Sequence, residues 1–185
     1  LQKSGIAWHP ISYTAKPAVI STVYDLHKMQ NEAVKLIRNQ ENNIQLLHCR
    51  SYISAHVGCY CQKKFGIPWI FDMRGFWADE RVEGGIWNTS KFVYRKVYQY
   101  FKNVEKTFIE NASAIISLTE NGANEIRSWK AYQIHKNPIS VIPCCADLRL
   151  FTRNDKKAAS LRKSLQISDN NFVLSYLGSF GTWYM

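Results

Sequence analysis

Residues 70–80, IFDMRGFWADE, place four charged side chains within nine positions, directly after an apolar run. Arg74 offers a planar fork of donors that suits a phosphate, and Asp72 can accept a hydrogen bond from a hydroxyl or hold Arg74 in place. A structural ion pair of Arg74 with a neighbouring carboxylate is the alternative, and the sequence leaves both open. Gly75 permits a left-handed backbone or a close approach, and Glu80 is a further polar candidate.

Two other polar pairs follow apolar runs in the same way. His48 and Arg50 come at the end of NIQLLH, where they could bind a hydroxyl or a phosphate, although a lone histidine can equally be structural. Thr119 and Glu120 follow SAIISL, at a turn where backbone N–H groups could bind an anion. The alternative for Thr119 is that it caps the helix that follows it.

The elements that would position these residues alternate along the chain. The patterns predict strands at 6–9, 43–48, 67–71, 113–119, 139–143 and 172–178, and helices at 24–38, 51–65, 91–110, 120–129 and 156–165. A loop of about twenty residues, longer than usual connections, would separate 71 from 91. Continuous apolar strands alternating with helices predict an α/β fold: a Rossmann-like parallel sheet with helices on both faces. Ser51 would cap the helix at 51–65, and Gly66 would end it. The polar pairs, together with Asp147 after the strand at 139–143, would then meet at the carboxyl ends of the strands, where open α/β sheets bind ligands.

Composition limits the partners. The chain has 185 residues and a net charge of +10, which favours an anionic partner such as nucleic acid, a membrane surface or a phosphorylated small molecule, or else a solvated basic surface. No nucleic-acid-binding motif is present, so nucleic acid is not expected. The five cysteines do not have zinc spacing, so we expect buried free thiols in a reducing cytoplasm and no metal site. No apolar run reaches the ~18 residues of a membrane span.

Four segments, in this order, carry a family resemblance: HCRSY (48–52), GIPWIFDMRGFWADE (66–80), ASAIISLTENG (112–122) and ISVIPCCADLRLF (139–151). Together they resemble the N-terminal domain of family-4 glycosyltransferases, retaining enzymes of the two-domain GT-B architecture. Many members carry a histidine after the strand that WIFD resembles. This chain has Asp72-Met73-Arg74-Gly75 there, which is closer to a variant of surface-polysaccharide transferases.

The resemblance implies that residues 1–170 form the acceptor-side domain, without the family's usual first strand. It implies that 171–185 begin the domain that binds the nucleotide-sugar. The substrates would be a nucleotide-sugar and a saccharide or lipid-linked acceptor, and no cofactor would be needed. The enzyme would be cytoplasmic, with peripheral contact at the inner membrane face left open. Because the Glu-x7-Glu motif of the donor domain does not occur in the 185 residues, we expect the chain alone to be inactive. The rival hypothesis is a non-catalytic Rossmann-like module with a basic face for an anionic partner.

Overall fold

The computed structural model describes residues 5–14, 16–39, 41 and 43–177. The elements are α1 (Ala18–Arg38), β1 (Leu47–Arg50), α2 (Ser51–Phe65), β2 (Trp69–Asp72), α3 (Trp77–Glu83), α4 (Phe92–Asn111), β3 (Ala114–Ser117), α5 (Glu120–Ser128), α6 (Lys130–His135), β4 (Ile139–Val141) and α7 (Asp155–Ser164).

The four strands form one parallel sheet in the order β1-β2-β3-β4. Each successive strand lies next to the one before it, with helical segments as the crossovers. The fold class predicted from the sequence is confirmed: the chain is an α/β protein with a Rossmann-like parallel sheet flanked by helices. In the pairing register, Arg50 lies opposite Asp72 and Asp72 opposite Ile116. The carboxyl ends of these three strands are therefore level, and we call this side of the sheet the carboxyl edge.

The core forms where one face of the sheet meets the helices. Side chains alternate along a strand, so Trp69 and Phe71 share a face, and both are fully buried. Phe108 of α4 packs on them, with ring centroids 5.8 Å from Trp69 and 5.4 Å from Phe71. Gly58 brings α2 close to the sheet, because a Cβ there would lie 2.6 Å from the sulfur of Cys49. Burial of these large rings stabilises the domain.

Helix ends follow the predicted signals in part. Gly66 ends α2 in the left-handed conformation, with φ of 72°, as the sequence predicted. Thr119 caps α5, and its Oγ1 accepts a hydrogen bond from the Gly122 N–H at 3.0 Å. The predicted cap Ser51 was wrong: Arg50 holds the N-cap position of α2 and makes no side-chain capping bond. Ser51 instead has a left-handed backbone, with φ of 67°.

Several predictions of elements need correction. Residues 6–9 and 172–177 form no strand, and position 178 lies outside the described residues. Helix α1 begins at Ala18 rather than at 24, directly after a proline, a residue often found at helix starts. The predicted long loop contains α3, a helix too short to show a periodic pattern. Helix α6 was not predicted, for the same reason.

Contacts divide the chain into two compact units, Leu1–Pro143 and Cys144–Met185. The sheet lies in the first unit, whereas the second contains α7. The domain boundary expected at 170 stays a prediction. None of the five cysteines forms a disulfide: Cys49, Cys59 and Cys61 are buried as predicted, but Cys144 and Cys145 are exposed. Among the described helices, none is both long and apolar enough to cross a bilayer.

The packing of Phe108 gives a stability prediction. Replacing Phe108, which is 1% exposed, by alanine should lower the free energy of unfolding by about 3–5 kcal/mol, because it removes a ring from a close-packed core. The control is Phe92→Ala in the same helix, where the ring is 63% exposed and the change should stay within about 0.5 kcal/mol. Urea unfolding measures both variants. Equal effects of the two substitutions would contradict this view of the core.

Candidate functional site

His48 and Asp72 lie together at the carboxyl edge. His48 Nε2 is 3.3 Å from Asp72 Oδ2, and the two residues come from the neighbouring strands β1 and β2. The His48 side chain is 57% exposed, whereas that of Asp72 is only 10% exposed. The other oxygen of Asp72, Oδ1, is buried and has no hydrogen-bond partner within the described part of the chain. A buried carboxylate oxygen without a partner is rare outside functional sites, so this pair is a candidate for ligand binding.

The backbone is strained on both sides of this pair. Ser51, after β1, and Arg74, after β2, are non-glycine residues with φ of 67° and 61°. Gly75 follows with φ of 152°, a value that residues with a side chain rarely adopt. Arg50 is exposed and lies opposite Asp72 in the register. Left-handed conformations of non-glycine residues cost free energy and cluster at functional sites, which agrees with a site at the carboxyl edge.

The residues between β2 and α3, 73–76, form what we call the exit segment. It borders a buried polar network that connects α2, α3 and α4. Glu105 of α4 is 1% exposed, accepts a short hydrogen bond from the Tyr52 hydroxyl, and lies 2.6 Å from Lys102 Nζ. Lys102 Nζ also donates to Asp79 of α3 at 2.8 Å. The Tyr52 hydroxyl lies 3.4 Å from the carbonyl oxygen of Gly75, so the network reaches the exit segment itself.

Asp79 completes the network through Tyr98, whose hydroxyl donates to Asp79 Oδ1 at 2.7 Å. Burial raises the pKa of Glu105, and this effect exceeds the opposing hydrogen bonds from Lys102 and Tyr52. Burial, together with the charge of Glu105, also raises the pKa of Tyr52, which therefore remains a hydrogen-bond donor. Burial lowers the pKa of Lys102, but its two carboxylate partners outweigh this and raise it overall. The lysine is thus the cation that makes the buried carboxylate tolerable.

A cleft of ≈ 890 Å³ opens beside this network, between α3, α4 and the α5–α6 connection. Its rings are Phe76 of the exit segment and Trp129, with centroids 5.6 Å apart. Its charged lining consists of six carboxylates and three ammonium groups: Asp79, Glu80, Glu83, Glu105, Glu110, Glu125, Lys102, Lys106 and Lys130. The volume lies at the upper end of the range for ligand-binding pockets. Such a lining can both accept and donate hydrogen bonds along an extended polar ligand.

Glu80 joins the cleft to the exit segment. Its carboxylate lies against Gly75, where a Cβ would come within 2.3 Å of Oε1. Burial raises the pKa of Glu80, and the nearby charge of Arg81 opposes that shift. Two of the predicted candidates, Gly75 and Glu80, are therefore in direct contact. Trp77 faces the other way and packs in the core, stacked on Tyr52 at 5.8 Å.

The other candidates in the first unit do not line the cleft: His48, Arg50, Asp72, Arg74, Thr119 and Glu120. Thr119 uses its hydroxyl to cap α5, so its side chain has the capping role given above as the alternative to anion binding. Glu120 has a 71% exposed side chain, and its carboxylate is 3.7 Å from Arg127. Asp147, which the strand pattern also placed near the site, belongs to the second unit and pairs with Arg149 at 2.9 Å. Within the described ranges, no group of three or more histidine, cysteine or acidic side chains could hold a metal ion.

Sequence reasoning missed Tyr52, Lys102, Glu105 and Trp129. For Glu105 a signal was present, because it interrupts the apolar stripe of α4 between Phe101 and Phe108, and all three side chains are buried. A charged residue in a buried stripe indicates a partner from another element. Nothing in the sequence identifies that partner as Tyr52, since it lies 53 residues away.

Residues 12–150 match the family model described as Glycosyltransferase Family 4. The match covers more than half of the chain and contains the sheet, the network and the cleft. No curated protein matches the chain significantly.

Titration of Glu105 gives a prediction with a definite sign. A carboxyl whose pKa is higher in the folded than in the unfolded state contributes stability that is complete below its unfolded pKa. That contribution is lost as the pH rises through the folded value. Because glutamine does not titrate, the wild type should lose stability relative to Glu105→Gln as the pH rises above about 4.5, the ordinary pKa of a glutamate. Urea unfolding of both proteins at a series of pH values below and above this pKa measures the difference. A relative gain of the wild type would mean that Lys102 controls the pKa instead of burial.

Proposed function

Because the chain belongs to glycosyltransferase family 4, we propose that it forms the acceptor side of an enzyme that transfers a sugar from a nucleotide-sugar to a saccharide or lipid-linked acceptor. The observation that carries the proposal is the His48–Asp72 pair at the carboxyl edge, in which a nearly buried carboxylate holds an exposed imidazole. This pair stands beside the strained turn at Arg74 and Gly75, close in sequence to the wall of the cleft.

In the proposed arrangement, Asp72 orients His48 through Oδ2, and the exposed His48 imidazole contacts a hydroxyl group of the acceptor. Arg50 and Arg74 add positive charge for the phosphates of a lipid-linked acceptor or of the donor. These residues position groups and need not react covalently. The resemblance to retaining enzymes suggests that the bond from the anomeric carbon to phosphate breaks as the bond to the acceptor oxygen forms. The leaving phosphate then takes the proton of the acceptor.

The cleft along α4 suits the part of a saccharide acceptor that lies away from the reacting hydroxyl. Its carboxylates accept hydrogen bonds from sugar hydroxyls, its lysines donate to ring and hydroxyl oxygens, and Phe76 and Trp129 supply apolar surface. The mixed charge favours a ligand with many donors and acceptors over a compact cation. Lys102 already satisfies Asp79 and Glu105, which leaves Glu80 and Glu83 as the acidic residues of α3 for such contacts.

Transfer by this chain should also require donor-binding residues. In the family, the nucleotide-sugar is bound through a Glu-x7-Glu pair of the second domain, and the 185 residues contain no such spacing. We therefore expect turnover only from a protein that carries that domain as well. Turnover of a nucleotide-sugar by the 185-residue chain alone would contradict this part of the proposal.

Substitution of Asp72 tests the acceptor role. In a protein that includes the donor domain, Asp72→Asn should lower kcat/KM for the acceptor by about 100-fold, since it removes the charge that orients His48 toward the acceptor hydroxyl. The assay follows transfer from radiolabelled UDP-, GDP- and dTDP-sugars to a membrane lipid extract and to soluble oligosaccharides. The control is Asp169→Asn, because that side chain is 96% exposed in the second unit.

The outcomes separate an error in the proposed site from an error in the proposed activity. If Asp72→Asn and Asp169→Asn transfer sugar equally well, the His48–Asp72 site is wrong although the enzyme is a glycosyltransferase. If no combination of donor and acceptor gives transfer with the wild type, the proposed activity itself is wrong. Equal circular dichroism spectra of the variants exclude a folding defect as the cause of any loss.

A further inference from the structure

The outward face of the first half of α4 is unusually apolar and basic. Phe92 and Val93 are 63% and 61% exposed, Tyr100 is half exposed, and Arg95 and Lys96 lie among them. We call these five residues the α4 face. We infer that the α4 face docks the chain on the surface of an anionic lipid membrane. This goes beyond the proposed function, since docking requires neither a donor nor an acceptor.

Helix length places the α4 face at the carboxyl edge. Helix α4 ends at Asn111, and β3 starts at Ala114, so the helix runs toward the opposite, amino edge of the sheet. With 20 residues α4 is about 30 Å long, whereas strands of four residues span only about 13 Å. The beginning of α4 therefore extends past the carboxyl edge. All six residues from Lys91 to Lys96 are exposed, as expected for a projecting helix end.

The charge on this projection is uniform. Residues 84–104 contain four basic residues and no acidic residue. Lys102 is neutralised internally by Asp79 and Glu105. The other three, Lys91, Arg95 and Lys96, form no ion pair with any residue that the structure describes. Helix stability does not explain them, because cations near a helix N-terminus are unfavourable.

Apolar and basic side chains are in contact on this face. The Arg95 guanidinium lies 5.8 Å from the centroid of the Phe92 ring, and Lys96 Nζ lies 5.6 Å from it. A ring that enters the headgroup region beside cations that meet anionic lipid phosphates is the arrangement of interfacial helices. Tyr94 and Tyr100 are also in the first half of α4, and tyrosine is enriched at the level of the lipid headgroups.

A membrane fits this surface better than other partners. Nucleic acid would use the three cations, but phosphates and bases offer little to the exposed Val93 next to Phe92. A second copy of the chain would bring the same cations opposite one another, which disfavours a symmetric contact. The anionic surface of a bilayer accommodates both the charge and the apolar side chains. It would also bring the carboxyl edge toward the membrane.

Vesicle binding tests the inference with the 185-residue chain. Sedimentation with phosphatidylcholine vesicles, with and without phosphatidylglycerol, should show binding that depends on the anionic lipid and weakens with salt. Arg95→Gln/Lys96→Gln should lower the partition coefficient about 30-fold. Phe92→Ser/Val93→Ser should also lower it, with a loss that persists at high salt because it removes apolar burial.

The matched control is Lys63→Gln/Lys64→Gln, which removes two exposed lysines at the end of α2, on the amino edge. It should change binding by less than about twofold, because it lies beyond the Debye length from the docked face. Equal binding to neutral and anionic vesicles, or an equal loss in the control, would overturn the inference. Two other results would also overturn it, if the wild type does not bind vesicles. One is that the wild type forms a dimer and the α4-face variants do not; the other is that the wild type binds duplex DNA and the α4-face variants do not. Gel filtration and a salt-dependent DNA-binding assay detect these two cases.

Discussion

The carboxylate of Glu105 is the group on which the site depends. It is buried in the middle of α4 and is held between the Tyr52 hydroxyl of α2 and Lys102 of its own helix. Lys102 in turn holds Asp79, and so α3 is tied to α4. Tyr52 is fully buried between the sheet and Trp77. Three helices from different parts of the chain, α2, α3 and α4, thus meet around one carboxylate beside the exit segment.

Burying this charge is unfavourable unless every partner is in place. For a carboxylate with one cation and one hydroxyl as partners, the cost of desolvation and the gain from these contacts nearly cancel. Removal of a partner leaves an uncompensated charge. An apolar side chain would stabilise the core equally well but would not fix the direction of the Tyr52 hydroxyl or the position of Lys102. We therefore attribute to the network a positioning role, which is to hold the exit segment and α3 as one wall of the cleft. The strained backbone at Arg74 and Gly75 is compatible with this, because strain persists only where surrounding contacts determine it.

Much of the fold could be predicted from the sequence, because its signals are local. The apolar runs that contain Phe71 and Ile115 are short, continuous and followed by polar residues, which is typical of buried parallel strands. Gly66 and Thr119 mark helix ends by chemistry that acts within one turn. The pairing of His48 with Asp72 agrees with the expectation that strand ends meet, although their role in binding stays a proposal.

What could not be predicted depends on contacts between distant segments. The short helices α3 and α6 have no periodicity of their own, and α3 is stabilised by Asp79 and Trp77 binding to α4 and α2. Residues 6–9 have an apolar start, but they do not join the sheet. The cleft and the α4 face both arise from the length and placement of α4, which no pattern within the helix reveals.

Hydrogen–deuterium exchange of Tyr52→Phe measures whether the network around Glu105 holds the exit segment in place. This substitution removes only the hydroxyl that connects α2 to Glu105 and the exit segment. If the network holds that segment, amides of residues 73–83 should exchange about tenfold faster, the effect of losing one buried hydrogen bond, while β2 and β3 stay protected. Unchanged exchange in 73–83, or an equal increase over the whole first unit, would contradict the account.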